Sequence, residues 1–296
     1  MTGHKASVFL RSIPLAAGLV LIAATIAQAA DSLSPAPEGE FTSPLDGPTS
    51  ANDWKLSAGI ATLYMPAFAG SKDYQAMVLP DIKLEYRDEF FASLFDGVGY
   101  NLINNDGWRA GPIMKYDFGR TEDDDNPFRI AGKKTKALRG LGDVDGTVEL
   151  GGFVEYNFDP VSYTAELRQG VGGHKGLTGE VAISYMGMLD GFGPPVIYAI
   201  GPRATFANAK YNNAYFGISR TQSANSGLDR YTADAGLVSY GLGAFAMMPV
   251  TDSLSLGLMA RYDRLGSEAA DSPLVRERGR KNQMMGGLRL TYEFGF

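Results

Sequence analysis

From Trp54 to the C-terminus, apolar and polar residues alternate in runs of about ten, separated by turn residues. The clearest runs place Trp108, Ala110, Pro112, Met114, Tyr116 and Phe118 on one face, and likewise Val148, Leu150, Gly152, Val154, Tyr156 and Phe158. The opposite faces carry Arg109, Lys115 and Asp117 in the first run, and Glu149, Glu155 and Asn157 in the second. Period-two alternation is the pattern of a strand with two unlike faces. The last nine residues repeat it, with Leu288, Leu290, Tyr292, Phe294 and Phe296 set against Arg289, Thr291, Glu293 and Gly295. A soluble sheet rarely leaves such an edge bare at the chain's end, whereas a closed barrel in lipid has no edge.

Twelve segments read as strands: 54–64, 77–86, 90–102, 108–118, 147–158, 161–171, 178–188, 196–206, 209–219, 235–247, 253–262 and 283–296. Each has about the length that crosses a bilayer when tilted, and an even count suits a bacterial barrel. Apolar residues outward and charged residues inward reverse the pattern of a soluble barrel. The predicted fold is therefore all-β, a transmembrane antiparallel β-barrel of about twelve strands over residues 54–296. Tyr292, Phe294 and Phe296 form the aromatic ending expected to be read by the barrel assembly machinery.

The N-terminus fits export. His4, Lys5 and Arg11 precede an uncharged apolar stretch over residues 13–27, and Ala27-Gln28-Ala29 supplies a small-x-small cleavage site. The stretch is too short for a spanning helix. Residues 1–29 are thus expected to be a cleaved signal peptide, and residues 30–53, with Pro35, Pro37, Pro44 and Pro48, a flexible periplasmic leader. The expected location is the outer membrane of a Gram-negative bacterium.

Composition narrows the function. Removing residues 1–29 takes away Lys5 and Arg11 and no acid, which moves the formal charge from −6 to −8. So acidic a chain is a poor partner for nucleic acid. There is no cysteine, hence no disulfide framework and no lipidated N-terminus. Of two histidines, only His174 survives signal cleavage. It lies in the glycine-rich turn Gly172-Gly173-His174-Lys175-Gly176, with no serine near, and reads as a solvent-exposed turn residue. Neither a His-dependent hydrolase nor a zinc or redox-metal site is expected, and no catalytic, cofactor or metal residue is assigned. The acidic run Glu122-Asp123-Asp124-Asp125-Asn126 and the pair Asp143 and Asp145 lack the full calcium-loop pattern and read as solvated charge. Charges of both signs on the inner faces, among them Lys83, Glu85, Glu166, Arg168, Glu180, Arg203, Arg261, Arg289 and Glu293, predict either a narrow water path or a plug of ion pairs.

The connections carry one conflict. With both termini in the periplasm and four strands ahead of it, loop 119–146 falls on the periplasmic side, where turns are normally short. Either one earlier strand is miscounted or this loop is an unusually large periplasmic one. Its charges, with basic Lys133, Lys134, Lys136 and Arg139 after the acidic run, would meet lipopolysaccharide phosphates on one side of the membrane and anionic partners or peptidoglycan on the other.

Several segments between and at the ends of the predicted strands stand out as a set. They are Pro66-Ala67-Phe68-Ala69-Gly70-Ser71-Lys72-Asp73-Tyr74, Gly119-Arg120, and Leu138-Arg139-Gly140-Leu141-Gly142-Asp143. Further along come Tyr211 and Tyr215-Phe216-Gly217-Ile218-Ser219, then Arg264-Leu265, Asp271-Ser272-Pro273-Leu274-Val275, and Tyr292-Glu293-Phe294. Taken together they resemble the MipA/OmpV family, and the resemblance spans the barrel in order, with Phe68 where that family usually has Tyr. It implies an outer-membrane, non-enzymatic scaffold joining a periplasmic lytic transglycosylase and a murein synthase, with a porin-like channel or surface adhesin as the alternative. The implied partners are those two enzymes, outer-membrane lipid and lipopolysaccharide, and the assembly machinery. Under the periplasmic placement, Arg120, Asp123, Asp124, Asp125, Lys133, Lys134, Lys136 and Arg139 form the candidate partner-contact loop.

Overall fold

The structure is a computed structural model that describes residues 53–191 and 193–294. The predicted signal peptide, nearly all of the leader, and Phe296 of the aromatic ending lie outside those residues. The chain builds strands β1 (Trp54–Pro66), β2 (Tyr74–Tyr86), β3 (Phe90–Ser93), β4 (Gly97–Tyr100), β5 (Ile103–Asn105), β6 (Trp108–Asp117) and β7 (Arg129–Ala131). It continues with β8 (Thr147–Phe158), β9 (Val161–Gly172), β10 (Leu177–Leu189), β11 (Val196–Ala207), β12 (Gly236–Pro249), β13 (Leu254–Leu265) and β14 (Asn282–Phe294). All pairings are antiparallel, and β1 closes the sheet by pairing with both β14 and β2. With β5 continuing β4 alongside β6, and β7 outside the ring, the barrel has 12 strands.

The outer face is the apolar row read from the sequence. On β13, Leu258 is 52% exposed while its alternates Arg261 and Asp263 are buried. Such a wall is stable only against lipid. Aromatic pairs mark the end near the termini, with Trp54 against Tyr86 at 4.6 Å and Trp108 against Tyr156 at 4.4 Å.

The strand total agrees with the sequence reading through two errors that cancel. Segment 90–102 is not one strand: it turns at 94–96, giving β3 and β4. Ser93 Oγ accepts the Asp96 N–H at 2.7 Å and Gly97 takes φ 81°, the left-handed conformation that a tight turn needs. Segment 209–219 is not a strand but carries helix α1 (Ala209–Tyr215). The Asn208 side chain caps it by accepting the Tyr211 N–H, and Tyr211 and Tyr215, one helical turn apart, bury the same face. Their aromatic alternation had imitated a strand.

The extra strand removes the parity conflict. Counting β4 with β5 as one, five wall strands precede loop 119–146, so it lies at the end opposite both termini, not on their side. The long connections 67–73, 118–146, 208–235 and 266–281 all share that far end, and the turns at the termini's end are short. This is the arrangement of bacterial barrels whose termini face the periplasm and whose long loops face outward.

The β3–β4 hairpin is too short to fill the wall between β2 and β6. It covers β2 only from Lys83 to Tyr86. Loop 118–146 folds back and supplies β7, which pairs Met77 with Arg129, while Val78 N–H donates to Phe128 O at 3.1 Å. Inside this region Leu63, Met65, Met77, Leu79 and Phe118 form a buried cluster with Phe95, Phe128 and Met285 around it. The lumen is therefore apolar on this side and charged along β6 and β8–β11, where an all-polar lining was expected.

Candidate functional site

The far end is closed by a cap with a hydrophobic core of its own. Besides α1 it contains α2 (Arg220–Ser226), α3 (Ser267–Ala270) and α4 (Pro273–Arg278). Phe68, Leu138, Leu141, Ile218, Leu228 and Leu274 pack together, and beside them Tyr211, Tyr215, Phe216, Val238, Leu265 and Val275. These residues come from all four long connections and, for Val238 and Leu265, from the adjoining strand ends, and most belong to the segments that carry the family resemblance. Side chains tie the loops together. Arg278 Nη1 donates to Ala137 O at 2.9 Å, and Ser272 Oγ donates to Phe216 O at 2.6 Å.

Beneath the cap lies a buried network that sequence reading missed. His174 is not an exposed turn residue: its side chain is 0% exposed. Nδ1 accepts the Gly176 N–H at 2.9 Å, so the neutral ring carries its proton on Nε2. Nε2 sits 3.1 Å from Glu149 Oε1 and 3.6 Å from Asp117 Oδ2. Glu149 also accepts from Arg168 Nε at 2.7 Å and Thr178 Oγ1 at 3.2 Å. The Tyr215 hydroxyl reaches both oxygens of Asp117 at 2.7 and 2.8 Å, and Gly119 N–H donates to Oδ1 at 2.7 Å. Burial, with Asp117 next, raises the Tyr211 and Tyr215 hydroxyl pKa values well above their usual range, so both stay protonated donors. The signal that could have found His174 is its crowded turn: a Cβ at Gly173 would lie 2.1 Å from Thr147 Oγ1, and one at Gly176 would lie 2.6 Å from the Tyr211 backbone.

Ligand atoms of Asp117, Glu149 and His174 lie within 4.8 Å of one another, the spacing of a metal cluster. Their bonding does not suit a cation. A metal-bound imidazole needs a bare nitrogen on the metal and a proton on the other, the reverse of the tautomer fixed by Gly176. Both carboxylates are already engaged by donors. The network is a latch joining the 173–176 turn, α1 and the strand ends of β6 and β8.

The remaining inner charges pair rather than line a path. Lys115 meets Glu166 at 3.0 Å, Arg203 meets Glu180 at 2.6 Å, and Arg261 meets Asp263 at 2.5 Å. Arg289 grips Asp81 through two bonds of 2.7 and 3.0 Å and lies over the Phe95 ring. The inward charges of β2, β6, β8–β11, β13 and β14 are thus largely held in ion pairs along the wall.

The candidate partner-contact residues divide. Asp123, Asp125, Lys133, Lys134, Lys136 and Arg139 are exposed, while Arg120 and Asp124 are buried. Arg120 donates to Tyr215 O at 2.6 Å, and burial lowers its pKa to about 10. Asp124 accepts the Thr135 N–H at 2.8 Å and pairs with Arg129 at 2.6 Å, and burial raises its pKa against both. Glu122 is likewise not idle charge: it accepts the N–H groups of Gly140 and Gly142, each at 2.8 Å, which lower its pKa.

The family model described as "MltA-interacting protein MipA" matches residues 58–294. The chain is 33% identical over 90 residues to "Outer membrane protein OmpV" of Vibrio cholerae serotype O1, covering 30% of this chain and 33% of that protein. It is 32% identical over 90 residues to "Outer membrane protein Omp26La" of Vibrio anguillarum, with the same coverage of 30% and 33%. The aligned chain thus spans about a third of the length of these curated relatives. Among solved structures, the COG4313 outer membrane channel from Pseudomonas putida F1 aligns with TM-score 0.43 and 11% identity, over 86% of this chain and all of that one. That likeness is too distant to carry any function across.

Proposed function

Because this chain belongs to the MltA-interacting protein MipA family of outer-membrane barrels, we propose that it is a closed scaffold linking periplasmic murein-remodelling enzymes to the outer membrane, not a pore. The observation that carries this reading is the filled far end of the lumen. The cap core and the buried ion pairs beneath it leave a barrel built to stay shut, and a shut barrel serves by being held in the membrane and holding others. The family's description supplies the class of partner.

The contact surface moves with the corrected parity. The murein-enzyme contact expected of loop 119–146 depends on four preceding strands, and five wall strands precede it. The turns 87–89, 106–107, 159–160 and 250–253 and the connection between Leu189 and Val196 are then the parts proposed to face the periplasm, together with the expected leader 30–53.

The test is capture of a lytic transglycosylase and a murein synthase from solubilised envelope on the intact protein, alongside planar-bilayer recording. Capture that survives deletion of 123–134 but is lost on deletion of 30–50, with no stepwise conductance, is the expected result. Conductance, or capture that depends on 123–134, overturns it.

A further inference from the structure

The wall carries a basic rim that neither the fold nor the scaffold reading uses. On β13, Arg261, Asp263 and Leu265 are buried and face inward, while the alternates Leu258 and Tyr262 are 52% and 41% exposed. Arg264 continues that outward row and is the first charged residue above the apolar band. Its register partner Asn282 heads the outward row of β14, which continues through Met284 and Leu288. Arg264 Nη1 donates to Asn282 Oδ1 at 3.2 Å, fixing the guanidinium at the wall.

Three more cations gather beside it through backbone contacts between segments far apart in sequence. Lys281 O accepts the Leu265 N–H at 2.9 Å. Arg280 N–H donates to Gly70 O at 2.7 Å, and the antiparallel bridge of Ser71 with Gly279 holds the segment that carries Lys72 against residues 278–280. Lys72, Arg280 and Lys281 are exposed, and none of the four forms an ion pair among the described residues. The neighbouring acids are turned elsewhere: Asp73 accepts from Thr135, and Asp263 holds Arg261 inside the barrel. Residues 276–281 read Arg-Glu-Arg-Gly-Arg-Lys, four cations against one carboxylate. Tyr64 and Tyr74, stacked at 5.1 Å, lie just below the rim, at the level of a membrane interface.

From this placement we infer that Lys72, Arg264, Arg280 and Lys281 form a binding site for the phosphorylated sugar headgroup of an outer-leaflet glycolipid. Its acyl chains would lie on the band of Tyr262, Met284 and Leu288 below. The occupant is lipid rather than a soluble polyanion because Arg264 continues the outward row of β13 directly above the lipid-facing Leu258 and Tyr262. The cations match phosphate in sign, and the arginine adds forked donors. The inference rests on the far end facing outward and is independent of the murein partners.

The experiment measures binding of bisphosphorylated lipid A to the intact detergent-solubilised protein by native mass spectrometry, with dephosphorylated lipid A and inorganic polyphosphate as further probes. The variant Lys72→Ala/Arg264→Gln/Arg280→Ala/Lys281→Ala should bind bisphosphorylated lipid A at least about tenfold more weakly. Wild type should bind the dephosphorylated lipid and polyphosphate as weakly as that variant does. The variant Lys133→Ala/Lys134→Ala/Lys136→Ala, on the cap's solvent face, should bind like wild type. Equal wild-type binding of lipid A with and without phosphate overturns the site even if the quadruple variant fails to fold. So does unchanged binding by a folded quadruple variant, loss of binding in the cap variant, or preference for polyphosphate.

Discussion

His174→Ala separates a structural latch from an exposed turn. An exposed residue away from special features changes stability by about 0.5 kcal/mol or less when truncated. The buried imidazole predicts far more. Its loss strands the Gly176 N–H, which donates to Nδ1 at 2.9 Å, at about 1–3 kcal/mol for an unmet buried donor. It also removes Nε2 from beside Glu149 at 3.1 Å, a close polar contact without hydrogen-bond alignment. The edge-on packing against Tyr211, with centroids 5.0 Å apart, adds about 0.5–1.5 kcal/mol. Water entering the vacated space restores part of the bonding, so the net expectation is about 1–4 kcal/mol. Hydrogen exchange of residues 173–178 and 209–216 reads this as faster local opening, while strands β12–β14 keep their protection. His174→Asn places Oδ1 where Nδ1 was, so it should return the Gly176 bond and recover roughly a third of the loss. Unchanged exchange in His174→Ala would refute the latch, and uniform loss of protection across all strands would refute its confinement to the cap.

The cap should fail separately from the barrel. Phe216→Ala, at a site 1% exposed in the cap core, should cost about 3–5 kcal/mol, speed proteolysis within 208–235 and leave the heat-modifiable barrel band on gels intact; joint loss of both would contradict a separate core. The Glu122 pKa is lowered from 4.5 in the folded loop, so its contribution is complete above that value and fades as pH falls through the folded pKa. Exchange at Gly140 and Gly142 should therefore quicken on acidification in wild type and already be quick at neutral pH in Glu122→Gln; equal rates at neutral pH would sink the assignment. A cavity of about 20 Å³ lies among Pro66, Ser239, Arg261, Asp263 and Gln283, where Ser239 Oγ, Arg261 Nη2 and Asp263 Oδ1 have no partner. It has room for one water with enough polar neighbours. A high-resolution crystal structure should show that water, and featureless density there would count against it.

What could be read from sequence, and what could not, follows from the range of the forces involved. Strand alternation is local and two-faced, so the wall was legible from Trp54 to Phe294 except where a turn or helix borrowed its pattern. The turn at Asp96-Gly97 was legible too, since that dipeptide between apolar runs is a hairpin signal. Its apolar neighbours Leu94 and Phe95 made the run look continuous, because they pack into the lumen instead of facing water. Tyr211 and Tyr215 deceived in the opposite direction. Their spacing of four satisfies both periods, and only the Asn208 cap and the burial of Asn212 decide for a helix. The latch was invisible for a different reason. Asp117, Glu149 and His174 lie 32 and 25 residues apart in sequence and meet only because β6, β8 and β9 are neighbours in the ring. A lone histidine among glycines gives no local sign of the carboxylates that antiparallel pairing will deliver to it. The same logic orders most of the family segments: those between strands look like loop sequence and acquire meaning when the barrel brings their ends together into one core.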